Sequence, residues 1–314
     1  MTRPPLELLP IDIEAYRRGN TGIDFIHRFD SGAPGPHLLI NALTHGNEVC
    51  GAHALRLLFE RDIRPARGIL TLGFANVEAY RRFDAANPTA SRFVDEDFNR
   101  VWNEGILNGD RGSVELARAR ELRPSVEAAD FLLDLHSMQR PCPPLMLCGT
   151  QDKGRELAFR LGVPEHVVAD PGHAAGPRMR DFGDFGDPAS GKTALLIECG
   201  QHWRKSSAEV AIQAVFHFLA ALDVIDRDLA EPHLVADPPA QRLIRVSGPV
   251  TIETEDFRFA EDYTGLEVIA EAGTVIGHDG ERPIVTPFDD CVLIMPSQRL
   301  QVGQTAVRLG RFVD

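Results

Sequence analysis

The chain has 314 residues, of which 43% are hydrophobic and 25% charged; this is enough to bury a large core, and the composition argues against disorder. Its 46 acidic and 33 basic residues give a net charge of -13, which argues against the basic surface a nucleic-acid partner needs. No apolar run approaches the ~20 residues of a membrane span, and Met1-Thr2-Arg3-Pro4-Pro5 lacks the start of a signal peptide. The five cysteines, Cys50, Cys142, Cys148, Cys199 and Cys291, are odd in number and form no CxxC pair. That pattern predicts reduced thiols and a cytoplasmic location, with Cys142 and Cys148 as buried small residues rather than a metal or redox pair.

In chain order, short apolar runs at 36–43, 68–75, 130–136, 145–149 and 193–199 predict buried strands. Helix-like stretches lie between and after them at 48–60, 113–123, 152–161 and 206–222. Alternating buried strands and helices predict an α/β fold with a central sheet covered on both faces. Two long segments, 84–103 and 170–192, resist assignment and read as functional loops. Residues 229–241 (LAEPHLVADPPAQ) read as a linker, dividing a catalytic domain at 1–228 from a tail at 242–314. Strand-like pieces at 242–246, 249–253, 266–270, 283–286, 291–295 and 305–312 predict that the tail is a small all-β domain.

The first run leads directly into Thr44-His45-Gly46-Asn47-Glu48, so His45 and Glu48 stand three apart at the carboxyl end of a strand. His136 ends the run that contains Asp134. In open α/β sheets ligands collect at such ends, and two histidines with one glutamate make a catalytic zinc set that leaves a position for water. His-x-x-Glu alone also describes a capping or surface pair. Asp134 reads equally as a support for a ligand histidine and as a strand-end ion-pair partner, and His53 reads as a packing residue on a helix. Glu198 ends the apolar run at 193–199, where a carboxylate is costly unless paired or functional. It is either the general base for a zinc-bound water or the partner of a nearby arginine. Arg92, Asn99 and Arg100 lie in an acidic loop, where guanidinium groups either grip substrate or neutralise their neighbours.

Taken together, His45-Gly46-Asn47-Glu48, Arg92 with Asp97-Phe98-Asn99-Arg100, Asp134-Leu135-His136 and Ile197-Glu198-Cys199-Gly200 resemble the aspartoacylase/succinylglutamate desuccinylase family, in that family's order. The resemblance spans nearly the whole chain. It implies a zinc carboxypeptidase-like fold, a mixed central sheet flanked by helices with a small C-terminal all-β domain. It further implies one zinc ion per chain on His45, Glu48 and His136, Glu198 as base, Arg92 polarising the scissile carbonyl, and Asn99 and Arg100 on a substrate carboxylate. The family's C-terminal substrate-binding tyrosine has no clear counterpart, Tyr263 being the only tyrosine after residue 80. The loop bearing His173, Arg178, Arg180 and Asp181 does not align, and its arginines are expected to shape the substrate pocket.

The expected activity is therefore a zinc amidohydrolase acting on a small N-acyl amino acid or related carboxylate-bearing amide. Its alternatives are a zinc carboxypeptidase acting on peptides and a catalytically idle metal-binding module. Neither a nucleic acid nor a membrane is expected as a partner, and homo-oligomerisation is left open.

Overall fold

The structure, a computed structural model, describes residues 6–173 and 175–313. The first seven strands are β1 (Ile26–Asp30), β2 (His37–Ala42), β3 (Ile69–Phe74), β4 (Phe131–Met138), β5 (Leu145–Leu147), β6 (His166–Ala169) and β7 (Thr193–Gln201). Then come β8 (Arg242–Thr251), β9 (Phe257–Phe259), β10 (Val268–Ile269), β11 (Val275–Asp279), β12 (Arg282–Val285), β13 (Cys291–Ile294) and β14 (Thr305–Val313). The helices are α1 (Cys50–Glu60), α2 (Val77–Arg81), α3 (Glu104–Leu107), α4 (Val114–Ala128), α5 (Asp152–Leu161), α6 (Lys205–Ala221) and α7 (Arg227–Ala230).

One mixed sheet of eleven strands runs β1-β3-β2-β4-β7-β5-β6-β8-β14-β13-β10, and a second runs β12-β11-β9. The fold is the expected mixed α/β architecture with a small antiparallel sheet in the C-terminal region. At the centre, β3, β2, β4 and β7 are mutually parallel. Alternate residues of each strand go to opposite layers. Leu38, Ile40, Leu133 and Leu195 pack with Leu55 and Leu58 of α1 and Ala211 and Val215 of α6. Leu39, Leu132 and Ala194 pack with Leu116, Ala119 and Leu122 of α4 and with Trp102. Both faces are covered, which is why these strands read as continuous apolar runs rather than as alternating ones.

The C-terminal strands extend the main sheet. β8 pairs in parallel with β6, and β14 then pairs antiparallel with β8. The two strand pieces expected at 242–246 and 249–253 are one strand, β8, which runs through Gly248. The expected linker holds the end of α7 and a 3-10 turn at Glu231–His233. The two loops expected at 84–103 and 170–192 are held by 3-10 turns at Pro88–Arg92, Phe98–Arg100, Met179–Asp181 and Gly183–Phe185. All five cysteines are buried and free.

Candidate metal centre

β2 stops at Ala42 because Leu43 takes φ 61°, turning the chain into His45-Gly46-Asn47-Glu48 before α1 begins. Gly46 is required here by contact rather than by φ. A Cβ on it would lie 2.3 Å from the Ala79 carbonyl carbon and 2.4 Å from the Ser91 oxygen. Its N–H donates to the Arg92 carbonyl at 3.1 Å. The missing side chain thus lets the His45/Glu48 turn sit directly against the segment that carries Arg92.

His45, Glu48 and His136 each offer a ligand atom, and these atoms lie within 4.8 Å of one another. Nδ1 of His45 is 2.8 Å from Glu48 Oε1, and Nδ1 of His136 is 2.9 Å from Glu48 Oε2. The far nitrogen of each imidazole faces a carboxylate. His136 Nε2–H donates to Asp134 Oδ2 at 2.7 Å, and His45 Nε2 lies 3.0 Å from Asp97 Oδ1. A proton held on His136 Nε2 leaves its Nδ1 lone pair directed at the Glu48 carboxylate, the arrangement by which an outer carboxylate orients a metal-binding histidine, whereas His45 Nε2 accepts from Arg92 Nη2. Asp134 is itself fixed, its Oδ1 accepting from Asn41 Nδ2 and Thr44 Oγ1, each at 2.8 Å. The donor set of two imidazoles and one carboxylate, all at most 4% exposed, fits a divalent ion such as zinc.

The electrostatics follow from this crowding. Burial raises the Glu48 carboxyl, but His45 and His136 outweigh it and hold the group well below the usual range. Burial likewise works against ionised Asp97, yet Arg92 and His45 keep it well below the ordinary aspartate value. Glu198 goes the other way: burial, then the Glu48 charge, push it well above the carboxylate range. It stands opposite His136 in the β4–β7 register and forms no salt bridge among the described residues. Its Oε2 is buried without a hydrogen-bond partner. The nearby arginine considered for it in the sequence is Arg92, whose charge pulls the Glu198 carboxyl down against burial, but no arginine forms a salt bridge to it among the described residues.

Arg92 reaches the same place from the loop. Its Nη1 donates to Glu48 Oε1 at 3.0 Å, and Nη2 to Asp97 Oδ2 at 3.1 Å and to His45 Nε2 at 2.8 Å. The loop is pinned by Glu115 at the start of α4, a fully buried carboxylate that sequence reasoning missed. It accepts the backbone N–H groups of Val94, Asp95 and Glu96 at 2.6, 3.0 and 3.2 Å. Nothing in the sequence distinguishes Glu115 from an exposed glutamate of a first helical turn.

A cleft of about 210 Å³ opens over these groups and is lined by His45, Glu48, Arg92, Asn99, Arg100, His136, Arg178 and Glu198, among others. Asn99 is 2% exposed, and its Oδ1 accepts from the Met179 N–H at 2.8 Å, tying the two long loops together. Arg100 donates from Nη1 to the Asn99 carbonyl at 2.6 Å. Arg178 reaches the cleft, but its donors serve Asp170 and Asp181, at 2.9 and 2.7 Å. Arg180 does not reach it: its Nη2 donates to the carbonyls of Cys148 and Ala194, both at 3.1 Å, and it lines a different cavity. Arg178, extended just before the 3-10 turn, and Arg180 within it point to different sides, so only Arg178 lines the cleft, which corrects the joint placement of these two arginines.

His53 is also accounted for, its Nε2 bonded to the Leu9 carbonyl at 2.9 Å. Tyr263 packs in the C-terminal core beside Phe259. The far wall of the cleft instead comes from Thr264, Arg299 and Arg308, with His202 behind β7. These four were not singled out from the sequence. The His202 Nδ1 bonds Ser137 Oγ at 2.8 Å, and burial pushes its pKa down to about 4.

The chain resembles known proteins over most of its length. The family model described as the succinylglutamate desuccinylase/aspartoacylase catalytic domain matches residues 34–222. A succinylglutamate desuccinylase of Pseudoalteromonas atlantica is 23% identical over 300 residues, covering 86% of this chain and 79% of the relative. One from Vibrio vulnificus is 26% identical over 268 residues, covering 77% and 74%. The crystal structure of succinylglutamate desuccinylase from Vibrio cholerae superposes with a TM-score of 0.67 at 18% identity, covering 93% of this chain and 86% of that one. The match spans His45, Glu48, Arg92, His136 and Glu198 alike, and the chain belongs to the succinylglutamate desuccinylase/aspartoacylase family.

Proposed function

We propose that the protein is a zinc-dependent amidohydrolase that cleaves a small N-acyl amino acid or a related carboxylate-bearing amide to a carboxylate and a free amine. The observation that carries the reading is the pairing of a three-residue ligand set with one raised, unpaired carboxylate, Glu198, beside it. His45, Glu48 and His136 would hold a zinc ion, which would supply Lewis acidity to the carbonyl and the attacking water. Glu198 takes the proton from the attacking water as the C–O bond forms, and returns it to the nitrogen as the C–N bond breaks. Its burial beside Glu48 stabilises the protonated form between the two transfers. Arg92 places its guanidinium beside the ligand set, where it stabilises the negative charge that develops on the carbonyl oxygen. Asn99 and Arg100 line the side of the cleft to which we assign a substrate carboxylate.

The small cleft, closed by side chains from the 242–314 region, favours a small molecule over a peptide. Within this reading, residues 1–228 form the catalytic unit and 242–314 the β unit that narrows its entrance. Five buried free thiols support a reducing compartment, and no helix among the described residues is long and apolar enough to cross a membrane. The test is a hydrolysis screen of the zinc-supplemented protein against acetyl, succinyl and formyl amino acids, with dipeptides alongside. Turnover of the N-acyl amino acids that stops on chelation is expected. Cleavage confined to peptides would make the protein a carboxypeptidase, and zinc binding without any turnover would make it an idle metal-binding module.

A further inference from the structure

Arg308 enters the cleft from β14, on the far side of the sheet order from the ligand set. The β14–β8 register shifts between Thr305 and Val307 and again between Leu309 and Gly310, so irregularities flank Arg308 on both sides. Such bulges re-aim a side chain. Ala306, Val307 and Leu309 are buried in the C-terminal core, whereas Arg308 lines the cleft together with Arg100, His173 and Glu198.

Its side chain is only 12% exposed, and its one ionic contact among the described residues is Nε to Asp170 Oδ2 at 3.3 Å. That oxygen already accepts from Arg178 Nη1 at 2.9 Å. Both terminal nitrogens of Arg308 have no acceptor among the described residues. Arg100 is similarly short of charge compensation, its single side-chain hydrogen bond among the described residues going to the neutral Asn99 carbonyl. Three guanidinium groups (Arg178, Arg180 and Arg308) thus share two carboxylates, Asp170 and Asp181, while Arg100 pairs with neither and Asp97 is already engaged by Arg92 and His45. Burial and these mutual repulsions bring Arg100 down to about 10 and His173 to about 3. A cation held out of water without an anion is unfavourable, and a planar guanidinium with two free nitrogens matches a carboxylate.

We propose that Arg308 is a specificity-determining residue that binds a carboxylate of the substrate through its two terminal nitrogens, closing a pocket whose other wall is Arg100. The assignment rests on the deacylase reading for the word substrate, but its anion-binding content stands apart from turnover. It also explains why Tyr263 is free to pack in the C-terminal core: β14 supplies the polar contact to the cleft from the same part of the chain.

The experiment measures equilibrium binding to the full-length, zinc-supplemented protein in a Glu198→Gln background, so that no probe is consumed. Two matched pairs serve as probes. N-acetyl-L-alanine against N-acetyl-L-alaninamide places the carboxylate on the amine side; N-methylsuccinamate against N-methylsuccinamide places it on the acyl side. At least one acid is expected to bind about tenfold or more tightly than its carboxamide. Adding Arg308→Gln is expected to erase that gap with carboxamide affinity unchanged, and Arg308→Lys to keep part of it. Methylguanidinium is expected to restore acid binding to Arg308→Ala, a rescue that a purely structural role would not give. Equal affinity for acid and carboxamide with Arg308 intact overturns the proposal, and so does a gap that survives Arg308→Gln. The pair that shows the gap identifies the side Arg308 reads. Loss of the gap in a protein whose wild type hydrolyses neither amide nor acid leaves Arg308 in place and removes the deacylase reading. Hydrolysis with undiminished acid preference in Arg308→Gln does the reverse.

Discussion

Glu198 stands directly opposite His136 across the parallel pair of β4 and β7, the two residues sharing one register position. The strand pairing thereby sets a buried carboxyl beside the cluster of His45, Glu48 and His136. In the active protein, Glu198→Gln keeps the shape and removes the proton acceptor, so kcat should fall by ~10²-fold or more while bound zinc stays at one per chain. Steady-state kinetics with metal analysis reads both quantities. Full turnover in this variant removes Glu198 from its role.

Asp134 holds His136 Nε2 at 2.7 Å and is itself held by Asn41 and Thr44. Asp134→Asn keeps most of these contacts but replaces an anion with an amide, leaving the imidazole less basic and less firmly oriented. Zinc affinity, measured by competition with a chromophoric chelator, should drop about 10–100-fold. His45→Ala and His136→Ala should lose the ion altogether. Unchanged zinc affinity in all three variants would show that the ligand set lies elsewhere.

Much of this site could be read in the sequence because its parts sit at the ends of apolar runs. His45, His136 and Glu198 each stand at the end of such a run, and β2, β4 and β7 are buried along almost their whole length because both faces are covered. Where burial is one-sided the pattern fades: β1 alternates (IHRFD), and β6 and β9 are only four and three residues long. Residues that act through backbone groups were invisible for another reason. Glu115 reads as an ordinary first-turn glutamate, and only the path of 94–96 across it reveals its load. Arg308 reads as the polar member of an alternating strand, and the register shifts that turn it into the cleft have no signature in composition. Arg178 and Arg180 show the converse, since proximity in sequence could not say which side of a 3-10 turn each would take.

Glu115 should matter to the site although it never touches it. Its carboxylate accepts three consecutive N–H groups of the loop that carries Arg92, Asp97 and Asn99, and a side-chain N–H from Asn76 at 3.0 Å. Glu115→Ala leaves the buried Asn76 amide and the partly buried loop N–H groups without their acceptor, a loss of about 1–3 kcal/mol. Glu115→Gln retains acceptor capacity at one oxygen and should lose less. Denaturant unfolding should rank wild type above Gln above Ala, and activity should fall in the same order as Arg92 loses its fixed position. An alanine variant as stable as wild type would refute this account of the loop.

Gly46 gives a sharper steric case. A Cβ there would meet the Ala79 and Tyr80 backbone at 2.3 and 2.4 Å and the Ser91 oxygen at 2.4 Å, and none of these is a flexible side-chain end. Gly46→Ala must therefore push the His45/Glu48 turn away from α2 and from the Arg92 segment. Overpacking of this kind costs about 1–3 kcal/mol, and the displacement should appear in zinc affinity as well as in the melting temperature. Near-normal values of both would mean that the backbone at Ala79, Tyr80 and Ser91 yields easily, although all three residues are buried.

His37 makes stability depend on pH at a place remote from the metal centre. It opens β2 at 8% exposure, with Nδ1–H donating to the Ala128 carbonyl at 3.0 Å and Nε2 accepting from Thr71 Oγ1 at 2.8 Å. Burial, the largest influence, lowers its pKa below the ordinary histidine value, with the Ala128 bond opposing. Above pH ~6.5 the ring is neutral in both folded and unfolded chains and contributes no pH dependence. As the pH falls below that point the unfolded chain takes up the proton first, so the unfolded state gains and stability declines until the lower folded value is reached. His37→Gln removes this linkage. Urea unfolding at several values from pH ~8 to ~5 should show a shallower decline for the variant, by up to about 1.4 kcal/mol per pH unit, whatever its stability at the upper end. His166 and His217, also lowered by burial, contribute equally to both proteins and leave the difference to His37. Parallel curves would mean that the buried ring takes up its proton as readily as a free one, and that the Ala128 and Thr71 contacts do not hold it neutral.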